Sequence, residues 1–374
     1  MKSNYRKLGE YIRQVDVRNT EGKEDHLLGV SVQKMFMPSI ANTIGTDFSK
    51  YKVVKRGQFT YIPDTSRRGD KIAIALLKDY DEGLVSNIYT VFEISDSQKL
   101  LPEYLMLWFS RPEFDRYARF KSHGSVREIM DWDELCKVEL PIPSYEAQAE
   151  IVREYQTIAD RIALKQKIND NLAKIIDAIF EKTIIYSNKS ELVPFTDIMQ
   201  IMGGGTPDTS ESDYWNGKIP FFTPKDVTDS AFCIQTEKHI SESGLNSCSS
   251  RLYPLFTTFI TCRGTVGNTS MAGKPMAMNQ SCYAVSSKSG YSPFFTYAFT
   301  KYVISTMKKK ASGAVFNALV TRDFEMEKVI KPNANDVTIF DSKSTPLYKA
   351  IYYNAQEIES LVALSNHLLT RLSR

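Results

Sequence analysis

The sequence predicts a mixed α+β fold: two similar α/β domains in pseudo-twofold arrangement, joined by two long helices that form an antiparallel coiled coil. Three observations predict it. Short β-prone runs punctuated by Gly, Asp and Pro fill the chain before residue 143, and a second α/β region runs from about Leu192 to Pro332. A stretch free of Gly and Pro runs from Ser144 to Tyr186, with apolar residues mostly three or four apart. A shift of 189 residues lays Gly124 on Gly313, Val126 on Val315, Pro143 on Pro332, Ile162 on Ile351 and Leu172 on Leu361. The plan is domain, helix, domain, helix.

The first domain is expected over 1–143. Tyr51–Val54, Phe59–Ile62, Ile72–Leu77 and Ile88–Ile94 read as strands. A helix over Pro102–Phe120 carries Leu105, Leu107, Trp108, Phe109, Phe114 and Tyr117, with a break or second start at Pro112. A loop at 123–129 and a strand at Val138–Ile142 close the domain. The central helix follows over 144–187, with Ser144 as its N-cap. Its apolar stripe is Ile151, Tyr155, Ile158, Ile162, Ile168, Leu172, Ile175, Ile176, Ile179 and Phe180. At about 1.5 Å per residue the rod is roughly 60 Å long, and its seam needs a partner. Lys165 and Asn169 interrupt that seam; polar residues there fix register at some cost in stability.

The second domain is expected over 188–343, closing on a helix at Ser292–Lys310. The last helix is expected over 344–374, with Thr345-Pro346 as its start, because proline suits a first helical turn. This makes it the shorter of the two. Leu347, Ile351, Ile358, Leu361 and Leu368 are its pairing residues, against Ile151, Ile158, Ile162, Leu172 and Ile179. Ala355, Val362, Leu369 and Leu372 extend the same stripe.

The 374 residues carry a formal net charge of only +3, and the five cysteines form no Cys-x-x-Cys pair, which reads as reduced thiols. No apolar run approaches about 18 residues, and the start of the sequence lacks a signal-peptide core. A soluble, cytoplasmic protein is expected. Gly203-Gly204-Gly205-Thr206-Pro207 has no following Lys-Ser/Thr, and Arg263–Gly267 lacks the dinucleotide glycine pattern. The Asn/Asp-Pro-Pro-aromatic and His-Glu-x-x-His motifs are absent from the sequence, and the four histidines are scattered. The chain reads as a binder with no catalytic residue, metal site or cofactor of its own.

Its binding signal is a charge asymmetry. From Ser243 to Arg322 there is no Asp or Glu, while Arg251, Arg263, Lys274, Lys288, Lys301, Lys308, Lys309, Lys310 and Arg322 are present. Such a stretch implies a field aimed at a polyanion. Lys308-Lys309-Lys310 either reach a phosphate backbone or serve the helix C-terminus, where cations are favoured. Arg67, Arg68, Lys71, Lys121 and Arg127 are the basic candidates of the first domain. Asn268, Asn279 and Gln280 carry amides suited to adenine edges, or to ordinary turn hydrogen bonds.

These residues resemble the specificity subunit of type I restriction-modification systems over nearly the whole chain. The junction Leu140-Pro141-Ile142-Pro143, Glu146-Ala147-Gln148, Ile168-Asn169-Asp170-Asn171-Leu172 and Ala178-Ile179-Phe180 is similar to the family's central helix. Gly205-Thr206-Pro207, Tyr214-Trp215, Gly217, Ile219-Pro220-Phe221, Lys225-Asp226-Val227, Arg263–Gly267 and Asn279-Gln280 resemble its target-recognition domains. The resemblance implies a DNA-binding subunit without catalysis. Each of its two target-recognition domains reads half of a split site, and the helices set the spacer and dock modification subunits. It implies two modification subunits using S-adenosylmethionine, and restriction subunits using ATP and Mg, in an antiviral defence system. A type II recognition subunit fits nearly as well, and a helical scaffold with a basic nucleic-acid-binding domain is the reading from another class. The first domain lacks the Gly-x-Thr-Pro and Trp-x-Gly-x-Ile-Pro motifs, carrying Val17-Arg18-Asn19-Thr20 near the former, so the target is expected to be asymmetric.

Overall fold

In the computed structural model the described residues are 4–40, 45–64, 71–122, 129–186, 191–310 and 318–372. They fall into two compact units, Met1–Asp160 with Ala363–Arg374, and Arg161–Val362. Both combine helix and sheet.

In the first unit a four-stranded antiparallel sheet has the order Ile12–Val15, Thr90–Ile94, Phe59–Ile62, Ala73–Leu76. Phe59 and Phe92 stack at its centre and meet Phe109 edge-on. The helix expected over 102–120 is two helices, Pro102–Phe109 and Pro112–Lys121, each opening on a proline that has no N–H to waste. Tyr5–Lys7 pairs with Glu139–Pro141, and the chain then enters the central helix.

The second unit repeats this plan. Leu192–Pro194 pairs with Lys328–Ile330 as Tyr5–Lys7 pairs with Glu139–Pro141. The offsets are 187 (5 to 192) and 189 (141 to 330), those of the sequence repeat. Its five-stranded sheet has the order Met199–Gly203, Cys282–Ser287, Thr258–Thr261, Thr269–Ala272, Phe232–Cys233. The helix Pro293–Lys310 packs on it through Phe294, Phe295, Phe299 and Val303. A smaller sheet of Lys238–Ile240, Trp215–Phe222 and Ala277–Met278 lies in the same unit.

The central helix spans Tyr145–Phe180 and ends in a wider π turn, Glu181–Ile185. Ser144 caps it, accepting the Ala147 N–H at 3.3 Å. Gln148 is wholly buried: its amide donates to the Lys99 and Pro143 carbonyls and accepts the Leu101 N–H, each at 2.9 Å. One side chain thereby ties the helix start to the loop before the Pro102 helix.

The last helix corrects the expectation. It spans Ala334–Arg371, so Pro346 lies inside it and its 38 residues nearly match the central helix, 36 residues followed by the five of the π turn. Asn333 caps it, accepting the Asn335 N–H at 2.8 Å. Val337, Phe340 and Tyr348 are buried in the second core on both sides of the proline, and that burial outweighs the lost backbone bond. The start of the central helix and the end of the last belong to the first unit, and the remainder of each to the second.

Within the second unit the helices run antiparallel. Arg161 Nε donates to Glu357 at 2.6 Å, Lys165 Nζ to Asn354 at 2.9 Å, and Asn354 Nδ2 to Asn169 at 2.8 Å. Lys165 also meets Glu357 at 2.7 Å. Beyond this network Leu172, Ile176 and Ile179 join the second core with Leu347, Tyr348 and Ile351, while Ile158, Ile162, Ile358 and Leu361 are half-buried. Within the first unit Ile151 and Tyr155 pack on the core containing Leu369 and Leu372, and Leu368 lines a cavity with them. Ile168, Ile175 and Val362, expected on the seam, are 40%, 49% and 40% exposed. Cys233, Cys262 and Cys282 are buried free thiols, and burial pushes the first two up to about 12. Among the described residues no helix is long and apolar enough to cross a membrane.

Candidate nucleic-acid interface

Strand register gathers several loops at one end of the five-stranded sheet. Thr261 lies opposite Cys282, Gly203 opposite Tyr283, and Ile260 opposite Thr269. The hairpin tip 262–268, the Asn279–Ser281 turn and the Gly203–Pro207 loop therefore emerge together. Cys262 donates its N–H to Ser281 O at 2.8 Å and accepts the Leu319 N–H at 3.0 Å. The second bond ties the segment that leads into the Thr321–Met326 helix, which carries Arg322, to the residue before Arg263.

The tip is shaped by two glycines in the left-handed region, Gly264 and Gly267, at φ +76° and +74°. Asn268 donates its backbone N–H to Thr261 Oγ1 at 3.1 Å, and Gly267 donates to Thr261 O at 2.7 Å. A side chain at Gly267 would come within 2.4 Å of Lys308 Cε, so the tip rests on the lysine stem. That desolvation holds the Lys308 ammonium below its ordinary pKa.

The lysine triplet does not act as one group. Lys310 is held at 2.5 Å by Glu327, whereas Lys309 is exposed and has no ion pair among the described residues. The acid-free stretch is also less one-sided in space than in sequence: Asp177 pairs with Lys301 at 2.9 Å, and Lys288 caps Thr196 O at 2.6 Å. Arg263, Lys309 and Arg322 remain exposed and without ion pairs among the described residues. Arg322 was not among the site candidates. It lay in the acid-free stretch, but only the Leu319–Cys262 bond shows its place.

Of the three amide candidates Asn268 is exposed on the tip, and the other two differ. Asn279 serves its turn, accepting the Ser281 N–H at 3.1 Å, while Gln280 is exposed and bonded to Thr206 Oγ1. The surrounding motif residues hold the loop that presents Thr206. A Cβ at Gly204 would meet Asn279 O at 2.2 Å, and one at Gly205 would meet Ser249 Oγ at 2.4 Å. Tyr253 OH donates to Gly203 O at 2.7 Å and Trp215 Nε1 to Asp208 O at 3.0 Å.

The first unit repeats the hairpin base and the returning segment of this set. Met130 N–H donates to Pro63 O at 3.0 Å, at the base of the tip between Phe59–Ile62 and Ala73–Leu76. Met130 and Leu319 are 189 residues apart, the repeat offset (319 − 130). Lys71 is exposed on this tip; Arg67, Arg68 and Arg127 lie outside the described residues. Lys34, at φ +66°, braces the tip by donating to Ile72 O at 2.8 Å and Asp115 at 2.6 Å. Lys121 is half-buried and lines a cavity with Arg111 and Lys137.

Residues 188–360 match the family model described as the type I restriction modification DNA specificity domain. The specificity subunit of the type I restriction enzyme HindI of Haemophilus influenzae is 23% identical over 401 residues, covering 86% of each chain. The chain is a homologue of the type I restriction specificity subunits. The MjaIX specificity subunit of Methanocaldococcus jannaschii is 33% identical over 127 residues, 33% of this chain and 29% of that one. The crystal structure of the type I S subunit from M. genitalium superposes with a TM-score of 0.60 at 13% identity, covering 99% of this chain and 96% of that one. That likeness is one of fold, and it spans both units.

Proposed function

We infer that this homologue is the DNA sequence-specificity subunit of a type I restriction-modification complex, each unit reading one half of a bipartite, asymmetric site. The observation that carries the two-half reading is the repeated loop set: one arrangement of hairpin tip and returning segment occurs twice, at the repeat offset, with different side chains. Lysines and arginines on these loops contact phosphates and gain affinity by counterion release. Arg263 and Gln280 have the fork and amide geometries that distinguish guanine and adenine edges in a major groove. The helix pair sets the spacer and carries two modification subunits, which supply S-adenosylmethionine chemistry, while restriction subunits supply ATP- and Mg-dependent steps. This chain contributes recognition and no catalysis, in the cytoplasm where its DNA lies.

The test is a change of specificity in the assembled methyltransferase. Arg263→Ala with Gln280→Ala is expected to relax base preference in one half-site only, each lost bidentate contact being worth about 1–3 kcal/mol of discrimination. Methylation mapping reads it directly. Unaltered preference in both half-sites would remove this loop set from recognition.

A further inference from the structure

We propose that a cavity in the first unit, built around Arg111, binds a carboxylate. Arg111 sits where the helical hairpin breaks, between Pro102–Phe109 and Pro112–Lys121, and its side chain is only 5% exposed. Its guanidinium lies 4.1 Å over the Trp108 ring. Among the described residues Nε makes no hydrogen bond, and Glu113 Oε2 stands 3.6 Å away, itself without a hydrogen bond among them. Glu113 spends its other oxygen on Arg116 at 3.1 Å. A buried, hydrogen-bond-poor guanidinium demands an explanation, because a desolvated charge costs several kcal/mol unless satisfied.

The cavity supplies one. It measures about 420 Å³ and is lined by the cations Arg111, Lys121 and Lys137, the acids Glu113 and Glu139, and aromatic rings that include Trp108. Lys137 is taken by Glu134 at 2.6 Å, which leaves Arg111 as the fork and Lys121 as a second cation. A planar carboxylate matches that fork bidentately, with aromatic walls for the group that bears it. The internal repeat acts as a control. The 189-residue shift lays Arg111 on Thr300, within the unbroken helix Pro293–Lys310, so the break and its arginine belong to the first unit alone. The carboxylate comes either from a small free acid or from a partner protein's side chain or C-terminus.

The experiment compares thermal melting of the full chain in sodium acetate and in sodium chloride at equal ionic strength, for the native protein, Arg111→Met and Glu113→Gln. Acetate is expected to raise the melting temperature of the native chain above that in chloride. Glu113→Gln, which removes the competing acid, responds at about tenfold lower acetate, and Arg111→Met does not respond. If Arg111 only completes an internal ion pair, Glu113→Gln destabilises the chain and acetate matches chloride throughout; that result overturns the proposal. Should Arg111→Met fail to fold, the Glu113→Gln shift still decides. A pentapeptide ending in a free carboxylate, compared with its amide, separates the sources: tighter binding than acetate assigns a protein donor, and equal binding a free acid.

Discussion

At Gly267 the backbone sits at φ +74° and a methyl group would come within 2.4 Å of Lys308. Gly267→Ala therefore has to strain the backbone or displace the lysine stem. A left-handed L-residue costs about 1–2 kcal/mol, and urea unfolding of the variant should show a loss of at least that size. An unchanged midpoint would refute the tip's dependence on this glycine. The two lysines that follow Lys308 make opposite predictions. Lys309→Ala should weaken DNA binding by the assembled complex and lower the slope of log affinity against log salt by about one. Lys310→Ala should leave that slope unchanged and cost stability instead, since Glu327 loses its 2.5 Å partner. Equal slope changes for the two would contradict the division of the triplet. The sequence did not show that division, because Glu327 approaches Lys310 only through the fold.

The helices show how much of an element can be read in advance. The central helix was legible because its signals are local: a Ser144 cap, no interior Gly or Pro, and helical apolar spacing. The start of the last helix was not, because Pro346 is a local stop signal that burial of Val337, Phe340 and Tyr348 overrides. The polar break at Lys165 and Asn169 had no meaning within its own helix. Its meaning is the partner: with Arg161, Asn354 and Glu357 it forms a network that only one antiparallel register satisfies. Hydrogen bonds from Lys165 and then Arg161 hold the Glu357 carboxyl below the usual carboxylate range. A depressed carboxyl pKa contributes stability that is fully present above the ordinary value and is lost as pH falls through the lowered one. The melting-temperature gap between the native chain and Glu357→Gln should therefore be widest near neutral pH and close below about pH 4. A gap that persists in acid would show that charge is not what the network supplies.

Across the whole chain, two units share one plan and differ in what they carry on it. The paired entry strands, the helix that follows and the bond from the returning segment to the hairpin base recur at offsets of 187 to 199 in the paired residues, 189 for Met130 and Leu319. Yet the second unit presents Arg263, Gln280 and Arg322, while the first presents Lys71 on a tip braced by a buried Lys34–Asp115 pair. Equal scaffolds with unequal loops imply two different half-sites. The repeat itself was legible in part because its marks at Pro143 and Pro332 stand just before the two long helices, where backbone geometry restricts residue choice. The bases recognised were not, because base contacts depend on which loop tips converge. The central claim is that each unit reads its own half-site. Exchange of residues 192–330 for the matching segment of another specificity subunit, followed by methylation mapping of the assembled enzyme, tests it most directly. The account predicts that one half-site changes while the other half and the spacer stay fixed; a change in both halves, or in neither, would contradict it.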